Sequence, residues 1–222
     1  MRDFHAFREC LSCTKPSDLV RVAAKLLQAP VDWSHLVRNH LESLPDEDLI
    51  RLVLRANIAR LQPRVFMIDE IPGRFQIVVH HFDLPIFERY IATNEIGPHY
   101  HSFSFSTRIL RGQYTQCLFF NDGTLGQPDL EFDREVCCRA GDVYTLSYDR
   151  YHCVTNPQHE SLTLMVRGPA VYNPCHPPEE GYGSEQVLIM RSRILAALSG
   201  AGPGFEGRIL DIGPGTRTVP SL

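Results

Sequence analysis

The sequence predicts a mainly β chain, a sandwich or barrel of short strands with helices at both ends. Three observations predict it. From Val65 to Arg167 the chain runs in short segments rich in Val, Ile, Phe, Tyr and Thr, the types that fit a pleated surface. Turn chemistry separates many of them, as at Pro72-Gly73, Asn121-Asp122-Gly123 and Ala140-Gly141-Asp142. On either side of this region the apolar spacing changes to the helical period.

Three helices are expected before the strands. Ser17 or Asp18 caps the first, whose Leu19, Val20, Val22, Ala23, Leu26 and Leu27 fall at helical spacing. It stops before Pro30, because the residue ahead of a proline avoids the α region. The second runs from Asp32 to about Leu44, with Trp33, Leu36, Val37, His40 and Leu41 on one face. The third starts at Pro45-Asp46 and carries Leu49, Ile50, Leu52, Val53, Leu54 and Ile58.

The expected strands are Val65–Ile68, Phe75–Val79, Arg89–Thr93, Phe103–Leu110, Tyr114–Phe120, Glu131–Arg139, Asp142–Ser147, His152–Thr155 and Ser161–Arg167. Past Tyr172 the chain reads as loop. Ser184 to Leu198 reads as one amphipathic helix, and Gly200 to Leu222 as an irregular Gly/Pro-rich tail. The division is therefore a helical cap at 1–62, a β unit at 63–178, and a helix with tail at 179–222.

Composition removes several classes. Hydrophobic residues at 43% and charged residues at 22% are those of an ordinary globular domain. A net charge of −4 offers no basic footprint, so a nucleic-acid partner is not expected. No apolar run approaches the roughly 18–20 residues that span a bilayer, so a membrane is not expected either. Arg2, Asp3, Arg8 and Glu9 leave no apolar core for a secretory signal in the first residues. The seven cysteines are then read as reduced thiols of a cytoplasmic protein. Cys10-x-x-Cys13 has no second pair nearby to complete a zinc site; it reads as two thiols in a short N-terminal helix or arm. A homodimer stays open.

The chemistry lies in two histidine clusters about fifty residues apart. The first is Gly97-Pro98-His99-Tyr100-His101, followed by Gly112; the second is Gly141, then His152-Cys153-Val154-Thr155-Asn156. Alternate side chains of a strand share a face, so His99 and His101 point the same way, and a facing strand can bring His152 to them. Imidazole suits zinc, copper, iron and nickel. Three ligands leave open positions for water, substrate or dioxygen, as in a catalytic site. Tyr100, between the two histidines, faces away.

This pattern resembles the cupin superfamily, whose first motif is a glycine, His-x-His, a glutamate and a glycine. Its second motif is a glycine, a Pro-x-Gly turn, a histidine and an asparagine. Gly97, His99, His101 and Gly112 match the first, and Gly141, His152 and Asn156 the second, over residues 65 to 175. The glutamate is replaced by Phe105 or Ser106, and the Pro-x-Gly by Asp149-Arg150. The resemblance implies a cupin jelly-roll barrel. It leaves a three-histidine site for one divalent ion, as in the thiol dioxygenases among the cupins, with iron(II) favoured and zinc, nickel or manganese open. It further implies a small-molecule substrate together with dioxygen. Residues His152 to Glu160 are similar to the segment around the third histidine of cysteine dioxygenases. The next strand offers Thr163, Met165 and Arg167 instead of their Ser, His and Tyr, which puts a cysteine substrate in doubt.

Other residues are weighed against simpler roles. Arg167 ends an apolar strand, where a lone charge is costly. It either anchors a carboxylate, of substrate or protein, through its bidentate fork, or is a surface arginine at a strand end. Arg108 poses the same question. Tyr144 and Tyr151 are candidate pocket hydroxyls, and Phe103 and Phe105 candidate apolar walls. His80 and His81 are adjacent and point to opposite faces, so at most one reaches the pocket. His159 and His176 read as loop residues. Three functions follow: an iron(II) oxygenase acting on a small polar or anionic substrate, a non-redox isomerase, lyase or hydrolase using the metal as Lewis acid, or a non-catalytic ligand-binding protein. Metal affinity is expected to fall below about pH 6.5, the unperturbed histidine value.

Overall fold

The computed structural model describes residues 3–56, 64–85, 87–88, 97–121, 129–172, 183–200 and 207–213. The elements are helices α1 (Phe4–Ser12), α2 (Leu19–Leu27), α3 (Trp33–Ser43), α4 (Asp46–Ala56) and α5 (Ser184–Ser199). The strands are β1 (Arg64–Ile71), β2 (Phe75–Phe82), β3 (Phe105–Arg111), β4 (Gln113–Phe120), β5 (Glu131–Arg139), β6 (Val143–Leu146), β7 (Tyr151–Thr155), β8 (Ser161–Arg167) and β9 (Ile209–Leu210). The expected strand Arg89–Thr93 lies outside the described residues, as does the predicted helix end near Ile58.

The strands form two sheets, ordered β1-β2-β8-β3-β6-β9 and β5-β4-β7. Within the first, each neighbouring pair along β2-β8-β3-β6 is antiparallel. In the second, β4 pairs with β5 and β7, and His99 forms an antiparallel bridge with His152 on the free side of β7. In chain order β1 to β3 lie in the larger sheet, β4 and β5 in the smaller, and β6, β7 and β8 in the larger, smaller and larger sheet in turn, a two-walled arrangement of the jelly-roll type. The described strands make two facing walls rather than one continuously bonded cylinder.

Local sequence explains the helical ends. Asp3 and Asp32 are N-caps whose carboxylates accept from the Ala6 and His35 amides at 2.8 and 2.9 Å, satisfying donors the first turn leaves free. Asp46, Glu47 and Asp48 fill the first turn of α4, where negative charge suits the helix dipole. Helix α1 places Phe4, Phe7 and Leu11 on its buried face; Phe7 packs edge-on against Trp33 at 5.0 Å. Cys10 and Cys13 stay exposed beside it.

The helices cover the outer face of the larger sheet, with α2 on β3 and β6, α4 on β1, and α5 on α3 and α4. This is why every residue of β8 is buried. One part of the tail is ordered, contrary to the sequence expectation. Residues Ile209 and Leu210 pair in parallel with Val143 and Tyr144, and the Arg208 guanidinium donates to Asp142 at 2.7 Å. Gly207 lies so close to the Gly141 carbonyl that a β-carbon would overlap it, which accounts for glycine there.

Candidate metal centre

Backbone pairing brings the histidines together. His99 and His152 exchange both amide bonds, each 2.9 Å, so their side chains leave the same face. Alternation sends His101 to that face too. Ring centroids lie 5.1 Å apart for His99 and His101, 4.6 Å for His99 and His152, and 5.1 Å for His101 and His152. One ligand nitrogen from each lies within 4.8 Å of the others. Three nitrogens at ~2.1 Å from a tetrahedral ion stand about 3.4 Å apart, so a modest contraction accommodates one. Among the described residues this is the only group of three or more such side chains placed to hold a metal.

The ring tautomers also suit a metal. The Nδ1 of His99 donates to the Gly97 carbonyl at 3.0 Å, and the Nδ1 of His152 donates to the Gln116 amide oxygen at 2.8 Å. A neutral imidazole with its proton on Nδ1 has its lone pair on Nε2. The Nε2 atoms of His101 and His152 face each other at 2.9 Å. Burial, then His99, His80 and Arg150, holds the pKa of His152 well below 6.5, which keeps the ring neutral near pH 7.

Around the cluster, Phe105 occupies the inner face of β3, with its ring 5.3 Å from His101 and 6.2 Å from His152. Ser106 points outward and donates to the Val20 carbonyl of α2 at 2.8 Å. The place of the glutamate in the motif is therefore filled by Phe105. Phe103 stacks on His101 at 5.1 Å.

Arg167 is buried at 6% exposed. It pairs in register with Phe105, which sets it on the inner face, and its guanidinium carbon sits 4.8 Å over the Phe103 ring. It also lies 3.4 Å from the His80 Nε2. A guanidinium only donates, so His80 accepts; burial, then Arg167, pushes the His80 pKa well below 6.5. His80 is an inner-face residue whose signal in the sequence is the alternation Gln76, Val78, His80, paired with Arg167, Met165 and Thr163. Its neighbour His81 faces outward and pairs with Glu160 at 2.8 Å.

The remaining candidates separate. Tyr144 faces inward, its hydroxyl 2.8 Å from that of Tyr114 and accepting from the Gln116 amide at 2.7 Å. Burial raises the pKa of both tyrosines well above 10, so they stay protonated. Tyr151 lies with Tyr100 at 4.8 Å, on the side away from the histidines. Arg108 faces outward and donates to the Leu27 carbonyl at 2.7 Å. The His159 Nδ1 accepts from the Leu84 amide at 3.3 Å, and His176 lies outside the described residues. No described helix is long and apolar enough to cross a membrane.

Strand order and the three-histidine cluster together define a cupin-type jelly roll. No family model matches the chain, and no curated protein does. Among solved structures it is similar to an RmlC-like cupin from Shewanella frigidimarina, at 15% identity over 48% of this chain and 76% of that one, TM-score 0.31. The EutQ protein of Clostridium difficile matches at 11% identity over 50% and 72%, TM-score 0.32. Fe(II) HppE matches at 13% identity over 46% and 49%, TM-score 0.31. These matches carry no residue roles across.

Proposed function

We propose that the protein is a metal-dependent enzyme, an iron(II) oxygenase that acts on a small anionic substrate with dioxygen. The observation that carries this reading is the ligand set, three imidazoles with Phe105 where a fourth, carboxylate ligand would stand. Iron(II) held by neutral ligands keeps its full double charge, favours an anion beside it, and when bound supplies electrons to dioxygen. The remaining work falls to the chain. Phe103 and Phe105 keep bulk water from the cluster. Arg167, one aromatic ring away from His101, orients a substrate carboxylate through its planar fork. The buried Tyr144 hydroxyl is kept as a neutral donor or acceptor.

The test is anaerobic loading with iron(II), then addition of a panel of small carboxylates and thiols with air, recording oxygen uptake. Uptake that depends on both substrate and iron is expected. Stoichiometric native zinc, with no uptake across the panel, would replace the oxygenase with a non-redox metal enzyme. Absence of any bound metal would leave a ligand-binding protein.

A further inference from the structure

A metal ligand needs more than a ring in the right place; its proton must sit on the far nitrogen. For His99 that is arranged by a backbone carbonyl. For His152 it is arranged by a side chain, and the structure shows what holds that side chain. The Nδ1–H of His152 meets Gln116 Oε1 at 2.8 Å, Gln116 Nε2 meets the Tyr144 hydroxyl at 2.7 Å, and Tyr144 meets the Tyr114 hydroxyl at 2.8 Å. All four residues are nearly fully buried, so no water readily replaces a missing partner and an unmade bond is costly.

We propose that Gln116 is a positioning residue for the metal centre, holding His152 in the tautomer whose Nε2 lone pair faces the cluster, with the Tyr144 and Tyr114 hydroxyls fixing the amide. The inference rests on the metal-site reading above. An amide has two ends. With oxygen toward His152, the ring proton stays on Nδ1 and Nε2 is a ligand. Turned over, the NH2 group would donate to Nδ1, the proton would move to Nε2, and the ring would present the wrong group to a cation.

The hydroxyl chain accommodates the first polarity: the amide NH2 donates to the Tyr144 oxygen, which leaves the Tyr144 proton free to be donated to Tyr114 across a contact that either hydroxyl can serve as donor. The 2.9 Å contact between the Nε2 atoms of His101 and His152 then has one consistent assignment without metal: His101 Nε2–H donates and His152 Nε2 accepts. Metal binding shifts only the His101 proton.

The experiment uses the full chain labelled with 15N. Long-range proton–nitrogen spectra report each ring's tautomer, metal-free and with zinc, and competition titrations give zinc and iron(II) affinity. The wild type should show His152 protonated on Nδ1 in both states. Gln116→Met keeps the length without the acceptor; His152 should move to the Nε2–H form, and metal affinity should fall about 10- to 100-fold. Gln116→Glu keeps an acceptor and should retain both the tautomer and at least wild-type affinity. If Gln116→Met does not fold, Tyr144→Phe frees the amide and should give a partial tautomer shift with about a tenfold loss at most. Gln116→Met with an unchanged tautomer and unchanged affinity would overturn the proposal, as would Gln116→Glu binding as weakly as Gln116→Met. A wild-type chain that binds neither zinc nor iron(II) retires the metal reading, while the metal-free spectra still decide the role of Gln116.

Discussion

The two walls of the jelly roll are built on different principles. The six-stranded wall is covered on both faces: β8 is buried throughout, and helices lie across its outer side. The three-stranded wall turns much of β5 to solvent, with Phe132 54% exposed. The anchoring candidate Arg167, together with Phe105 and His80, sits on the covered wall. His152 sits on the thin wall, with His99 bridged to its edge, and is steadied by a line of hydrogen bonds. On the thin wall and its edge, changes at the ligands His152 and His99 should alter metal binding before they alter folding. Changes on the helix-facing side of the covered wall, where Arg108 bonds the Leu27 carbonyl, should show first as stability.

The largest expected effect is on the thin wall. Replacing any one of His99, His101 or His152 by Ala should lower metal affinity by at least an order of magnitude. Full metal occupancy in the His99→Ala, His101→Ala double variant, measured by elemental analysis, would end the three-histidine assignment. Next comes Arg108→Met on the covered wall. Its buried guanidinium bonds a helix carbonyl, and losing such a charged bond costs about 1.5–3 kcal/mol. Urea unfolding should show that loss while metal titration stays unchanged; a change in metal affinity instead would break the division between walls.

Phe105→Glu changes the covered wall where it faces His101 and His152. It buries a carboxylate beside the imidazoles, so the metal-free protein should melt lower than wild type, and metal should restore more stability than it gives the wild type. Equal shifts on metal addition would show that position 105 does not reach the ion. Arg167→Lys should weaken binding of a carboxylate substrate without changing metal content, because lysine lacks the fork. A lowered melting temperature at unchanged affinity would make Arg167 the partner of a protein carboxylate.

The smallest effect concerns the tail. Burial raises the pKa of Asp142, but hydrogen bonds from the Arg208 side chain and the Arg139 and Arg208 amides outweigh it, and the net shift is downward. Its stabilisation is therefore complete above the unfolded value, about 3.9, and is lost as pH falls through the lower folded value. Arg208→Gln should lower the melting temperature at pH 7 more than at pH 3; equal losses would show that the carboxylate is not involved.

Much of this was legible in the sequence. Alternation placed His99 and His101 on one face, and turn residues marked off the strands. What sequence could not supply was which wall each strand joins. The inward face of β3 decides between Phe105 and Ser106, and only pairing with β8 and the Ser106 contact to Val20 set it. Arg108 and Arg167 look alike as charges in apolar strands, yet register sends one to the helices and the other to the interior. Gln116 carried no signal at all, because an amide in a strand is ordinary until the neighbour across the sheet is known to be His152. The sequence offers helix α1 only as a short helix or arm around Cys10 and Cys13, because its buried face is just three residues, Phe4, Phe7 and Leu11.

The outer side of β3 has one further consequence. Arg108 bonds the Leu27 carbonyl at the end of α2, and Arg111 bonds the Ala197 carbonyl near the end of α5, at 2.7 and 2.6 Å. One strand therefore closes the C-terminal ends of two helices drawn from opposite ends of the chain. A helix tied in this way does not fray independently of the sheet. The flanking helices and the jelly roll should behave as one cooperative unfolding unit, with amides of α2, α5 and β3 exchanging hydrogen through the same global opening.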